Sequence, residues 1–227
     1  MNIERRSLLK GLALGGIAGA AMGASSLSLG KAILGGRAQA LPTLVLVKGD
    51  AGAAFLEGVR HSPMARHADA LHSDLGLDFI LALQRRLDSG QPQRIIGLVD
   101  DASAALVLDL ARSSGARIHW LGQHSVGAAG SRHQVLSAER AHACALQLGR
   151  QLQACGGGFD LTAQRQQGQR SLNLAAAPRG GDASAQWAAT LGHSLAGLGG
   201  TDIAPAPRIA QRHPALAGHF VSFSIEA

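Results

Sequence analysis

The sequence predicts an α/β fold: a single domain with one mixed sheet in a three-layer-like arrangement, parallel in its N-terminal half and antiparallel towards the C-terminus. Three observations carry this reading. Thr43–Val47 and Arg94–Val99 are unbroken apolar runs rich in β-branched residues, which suits strands covered on both faces, as in a parallel sheet. Each run is followed by a turn signal and then a helical pattern, so strand and helix alternate. Beyond residue 158 the pattern shortens: Phe159, Leu161 and Ala163, then Leu172, Leu174 and Ala176, alternate with polar residues around Gln167-Gly168-Gln169, as in a hairpin.

Taken in order, Lys48-Gly49-Asp50 turns the first strand into a helix over 51–61. A second helix, over 77–87, precedes the second strand. After Val99 and Asp100, Asp101 is expected to cap a helix over 102–113 that ends at Gly115. Residues 117–121 form the third strand, making 94–121 a compact βαβ unit. Residues 126–130 read as a Gly/Ala-rich loop, 134–136 as a short strand and 137–154 as a helix. The hairpin follows, then a helix over 182–198 with Trp187, Leu191 and Leu195 on one face. Pro205, Pro207 and Pro214 mark a loop, and 221–225 closes the chain as a period-two strand with one polar face. Asp-Ala-Ser-Ala opens two of these helices, at 101–104 and 182–185, which an Ala-rich chain produces by coincidence.

Residues 1–40 have a different character. Arg5-Arg6-Ser7-Leu8-Leu9-Lys10 precedes an uncharged stretch over 11–30, and Ala38-Gln39-Ala40 closes the segment. A basic start, an apolar middle and a small-x-small exit have the layout of a secretory signal. The paired arginines followed by an apolar pair and a lysine resemble the twin-arginine (Tat) leader. The resemblance is confined to the leader, and it departs from the common pattern at Glu4 and Leu8. It implies export of a folded protein to the periplasm, with the Tat machinery as a partner and a co-exported protein as a second candidate. Twenty residues also reach the minimum for a membrane span, but the Gly content and Ser25, Ser26 and Ser28 make the stretch only mildly apolar. Residues 41–227 are then the single α/β domain.

Setting the leader aside changes the charge argument. The chain carries 21 Lys+Arg against 15 Asp+Glu. Five of the basic residues and one acidic residue belong to the leader, so the remainder is close to neutral at +2. With no Tyr and few aromatics for base stacking, a nucleic-acid partner is not expected. Cys144 and Cys155, the only cysteines, fall on one helix eleven residues apart. That is about 16 Å along the axis, whereas a disulfide needs Cα atoms within about 7 Å.

Familiar catalytic signatures are absent: no haem or iron–sulfur cysteine pattern, no Gly-x-Ser-x-Gly, no phosphate loop and no dinucleotide fingerprint. No motif names a cofactor. Three groups of residues remain. Topology places Lys48 and Asp50, Asp100 and Asp101, and Gln123, His124 and Ser125 after parallel strands, where open α/β sheets bind ligands. Within that set Asp100 and His124 could act as an acid–base pair, and Lys48, Asp50, Asp101, Gln123 and Ser125 could hold a polar ligand. His61, Met64, His67 and His72 offer imidazole and thioether to copper or zinc. His119, His124, His133 and His142 are irregularly spaced and name no site by themselves.

These features support an exported accessory or small-ligand-binding protein. A hydrolase-like enzyme using Asp100 and His124 is the alternative, and a periplasmic copper- or zinc-binding protein is a second. A mass spectrum of protein recovered from the periplasm should give a chain beginning at Leu41; a full-length mass would mean that the leader is retained as an anchor.

Overall fold

The computed structural model describes residues 41–65, 67–127, 130–168, 171–179, 185–198, 205–208 and 216–227. The leader and its Arg5-Arg6 pair lie outside the described residues. β1 (Thr43–Val47) leads into α1 (Gly49–Arg60), β2 (Asp69–His72) into α2 (Leu77–Leu87), and β3 (Arg94–Val99) into α3 (Asp101–Ser113). β4 (Arg117–Gly127) and β5 (Gly130–Ser137) precede α4 (His142–Cys155). β6 (Phe159–Arg165) and β7 (Ser171–Ala176) form the later hairpin, followed by α5 (Gln186–Ala196) and β8 (Gly218–Glu226).

All eight strands join one sheet in the order β2-β1-β3-β8-β4-β5-β6-β7. β1 pairs in parallel with β2 and β3, and β5 with β6; the remaining pairs are antiparallel. The mixed sheet is therefore as the sequence predicts, and β8 stands between the two strands of the expected βαβ unit. Val45, Ile96, Leu98, Trp120 and Val135 face α1, α4 and α5 in one core. Leu44, Ile95, Val221, Phe223 and Ile225 face α2 and α3 in the other. On that second side Gln123, Gln134, Asp160 and Gln164 are exposed, so the polar face of β4–β6 is left open.

Several boundaries move for physical reasons. Of the loop expected over 126–130, the described residues are strand: β4 runs to Gly127 and β5 starts at Gly130 opposite it. The helix expected over 137–154 begins at His142, after a short 3-10 turn, and ends at Cys155 against left-handed Gly156. Both cysteines lie on it and are free. α5 is shorter than the 182–198 reading, whose residues 182–184 lie outside the described residues. β2 has no sequence counterpart because Asp69-Ala-Leu-His72 is a polar edge strand, largely exposed. β8 is longer than 221–225, and its serine face is buried, because the strand is central.

α5 is buried on every side. It reaches that position because α1 and α5 meet backbone to backbone. A Cβ on Gly58 would stand 1.8 Å from the Ala189 carbonyl oxygen, and one on Gly192 would stand 2.0 Å from that of Phe55. Among the described residues no helix is long and apolar enough to cross a membrane. Gly192→Ala should force the two helices apart and destabilise the fold by about 3 kcal/mol, the upper end of ordinary overpacking. An unfolding midpoint in urea equal to that of the wild type would show that the helices do not depend on this contact.

Candidate functional site

The chain leaves β1 towards α1 on one face of the sheet and leaves β3 towards α3 on the other. The C-terminal ends of these neighbouring parallel strands are therefore a topological switch point, where a crevice opens in α/β sheets. The Lys48 ammonium forms an ion pair with the Asp100 carboxylate across it, and Lys48 Nζ lies 3.5 Å from Ser103 Oγ. Asp100, not Asp101, caps α3, accepting from the Ser103 N–H at 2.8 Å. Burial alone would raise the Asp100 carboxyl, but Lys48 and the Ser103 bonds outweigh it and hold it below its ordinary value. Both side chains are about 40 % exposed, so the pair adds little stability. Asp50 and Asp101 occupy the first turns of α1 and α3 and are exposed.

Gln123, His124 and Ser125 do not follow a strand end; they sit inside β4, which continues six residues past Leu121. Alternation along the strand separates them. Gln123 is exposed on the open face, whereas His124 is buried against α5. The structure thus brings Lys48, Asp100 and Ser103 together but does not bring Asp100 to His124. β8 lies between their strands, and the polar partners of His124 are of another kind.

Those partners form a chain that sequence reading missed. His124 Nδ1 is 2.9 Å from His133 Nδ1, and His124 Nε2 is 2.7 Å from Ser222 Oγ. The Trp120 indole N–H donates to the same Ser222 Oγ at 2.8 Å. At the other end, His133 Nε2 is 2.9 Å from Ser131 Oγ. Trp187 packs on both imidazoles, with ring centroids 4.9 and 5.2 Å away. The β4–β5 register sets His124 directly opposite His133, and β8 brings Ser222 opposite Gly122. A Cβ at Gly122 would stand 2.6 Å from Ser222 Oγ, so the absent side chain makes room for this bond. Burial lowers the His133 imidazole to about 4, and burial together with the neighbouring His133 holds His124 well below its ordinary value.

Two concavities flank the tip of the β4–β5 hairpin. A groove of about 470 Å³ runs between α3 and the open sheet face, with Asp101, Gln123, Ser125, Arg132, Gln134 and His219 on its walls. A second cavity of about 560 Å³ lies at the strand ends, with Ser131, Asp160 and Phe159 among its lining residues. Ser125, Arg132 and His219 belong to both.

The other histidines lie apart. His61 closes α1, its Nδ1 2.8 Å from the Glu57 carbonyl oxygen; Met64 sits in a 3-10 turn, His67 in an exposed turn and His72 on β2. Among the described residues no group of three or more His, Cys, Asp or Glu side chains is placed to hold a metal ion. A bulge at Ile118/Trp120 turns His119 towards Glu226, 2.9 Å away, where Arg140 also lies. Burial lowers His119 in spite of that carboxylate. His142 Nδ1 lies 3.5 Å from Ser137 Oγ. Burial pushes the Cys144 thiol up to about 12, which makes it inert packing.

Comparison with known proteins returns no matching family model, no matching curated protein and no matching solved structure.

The depressed His133 value has a consequence for stability. Unfolding restores an ordinary imidazole near 6.5, so between 6.5 and 4 the unfolded chain binds the extra proton. The contribution is complete above 6.5 and is lost as pH falls towards 4. At pH 5 the loss for His133 alone should be about 2 kcal/mol. Urea titrations at pH 7 and pH 5 should therefore differ, and by less in His133→Gln; equal stability at the two pH values would mean the ring is not held neutral.

Proposed function

We propose that the chain is exported through its twin-arginine leader and that its α/β domain holds a small polar ligand in the groove beside α3. The observation that supports this most is the composition of that groove. Donors and acceptors from α3, β4, β5 and β8 converge there: Asp101, Gln123, Ser125, Arg132, Gln134 and His219. Five of these side chains stand on strands of the sheet and Asp101 stands on the first turn of α3, on a scaffold more rigid than a loop would provide. Both charge signs and two amides suit a ligand that itself carries donors and acceptors, and a volume of about 470 Å³ suits a small molecule. Asp101, Gln123 and Ser125 belong to the set read from sequence; Lys48 and Asp50 stand outside this groove, towards the switch point.

The acid–base pair of Asp100 with His124 has no such support, since the two groups face different surroundings. The test is a thermal-shift panel of free amino acids, monosaccharides and small dicarboxylates. One class should raise the melting temperature, and Gln123→Ala with Arg132→Ala should abolish the rise while leaving the unliganded melting temperature within a few degrees. A ligand at 100 times its dissociation constant adds about 2.7 kcal/mol to stability. No shift with any class, or a shift that survives both substitutions, removes the groove as the site.

A further inference from the structure

We propose that Ser131 is a nucleophile for acyl transfer, with His133 as its general base and His124 as the residue that positions the base, acting on small carboxylic esters in the cavity at the hairpin tip. This goes beyond ligand binding in the groove and concerns the neighbouring cavity. Ser131 is the half-buried end of the hydrogen-bonded chain: its hydroxyl meets His133 Nε2 at 2.9 Å, and it lines the 560 Å³ cavity. His133 in turn meets His124 at 2.9 Å, and His124 meets Ser222 at 2.7 Å. A nucleophile within hydrogen-bond reach of a base, itself oriented by a third group, is the geometry that activates a serine.

The proton arrangement this requires is available. With Ser131 O–H donating to His133 Nε2, the His133 Nδ1–H donates to His124 Nδ1 and the His124 Nε2–H donates to Ser222. The second lone pair of Ser222 Oγ receives the Trp120 N–H. Both rings are neutral, as their burial demands.

Chemistry then follows in two steps. Ser131 Oγ bonds to the ester carbonyl carbon as its proton passes to His133 Nε2. The carbon–oxygen bond to the alcohol breaks, and the alcohol leaves with that proton. Water attacks the acyl-serine, giving a proton to His133, which returns it to Ser131 Oγ as the carboxylic acid departs. A buried imidazole is a weak base, so the leaving group must be a good one: an ester is cleaved and an amide is not. The cavity carries Val126, Phe159 and Ala176 beside Arg132, Asp160 and His219, which suits an acyl group with a short apolar part and a polar part.

The test uses the full chain with a fluorophosphonate probe and with p-nitrophenyl acetate. A single adduct should form on Ser131 and be absent in Ser131→Ala, whose cooperative unfolding should be retained. His133→Gln should slow labelling about 100-fold, the low end for loss of a general base. His124→Asn, whose side-chain carbonyl can replace Nδ1 as acceptor, should keep labelling that His124→Leu loses; equal loss in both would reduce His124 to packing and overturn its positioning role. In the wild type the labelling rate should stay level from pH 7 to 5.5. A fall to about a tenth over that range would mark an ordinary imidazole and overturn the assignment of the buried ring as base. No adduct at Ser131, an adduct on another serine, or an unchanged rate in His133→Gln would overturn it as well.

Discussion

Everything in this fold depends on the last strand entering the middle of the sheet. β8 pairs antiparallel with β3 on one side and β4 on the other, and these two strands have no other bridge between them. Remove it and the parallel half separates from the hairpins. Its pairing partners are about a hundred residues away in sequence, so the sheet closes only after nearly the whole chain is available. Long-range pairing of this kind makes folding slow relative to local structure. A chain that completes its core last is well matched to a route that carries folded cargo, which is what the proposed leader requires.

The same strand explains how polar groups survive inside. Ser222 and Ser224 point into the layer beneath α5 and are buried, and of the two only Ser222 finds a side-chain partner there. A buried hydroxyl without a partner is costly, and Ser222 avoids this by accepting from Trp120 and bonding to His124. The network then acts as a register lock. A slip of β8 by one residue would turn its serines to the opposite face and leave the Trp120 indole and His124 without Ser222. α5 closes the site with Trp187, and it can do so only because Gly58 and Gly192 allow the helices to approach through their backbones. Polar specificity and close helix packing are thus one arrangement.

What sequence reading could reach follows from how each segment meets solvent. β1, α2 and β3 were legible to the residue because continuous apolar runs and a clean helical period leave no competing interpretation. β2 was not, because an exposed edge strand carries no hydrophobic signal, and its histidine looked like a ligand instead. β8 was recognised as a strand with one polar face, but alternation alone does not say that such a face is buried; only the sheet order shows that both faces are covered. The candidate site divides in the same way. Asp101 follows a strand end as the topology rule assumes, but Gln123 and Ser125 were named on the expectation that β4 stops at Leu121, and it runs on to Gly127; the His124–His133 pair required the register of the hairpin. A signal was present: both histidines lie three residues from the Gly127 and Gly130 pair that frames the turn.

The two faces of the sheet divide the chemistry between them. One face is sealed by α1, α4 and α5, and the histidine chain lies under that seal, dry and neutral. On the other face α2 and α3 cover β1, β3 and β8, which leaves β4–β6 polar and open. Function that needs water-soluble contacts belongs on the open side, where the groove lies; function that needs a desolvated hydrogen-bonded chain belongs on the sealed side. The hairpin tip is where the two meet, because β4 and β5 end there and Ser125, Arg132 and His219 border both concavities. Desolvation makes His133 a poorer base but keeps it unprotonated across the range where an exposed histidine would switch. That trade favours a mild reaction on an activated bond over demanding hydrolysis, and it ties the reactivity of Ser131 to the burial that holds the sheet in register.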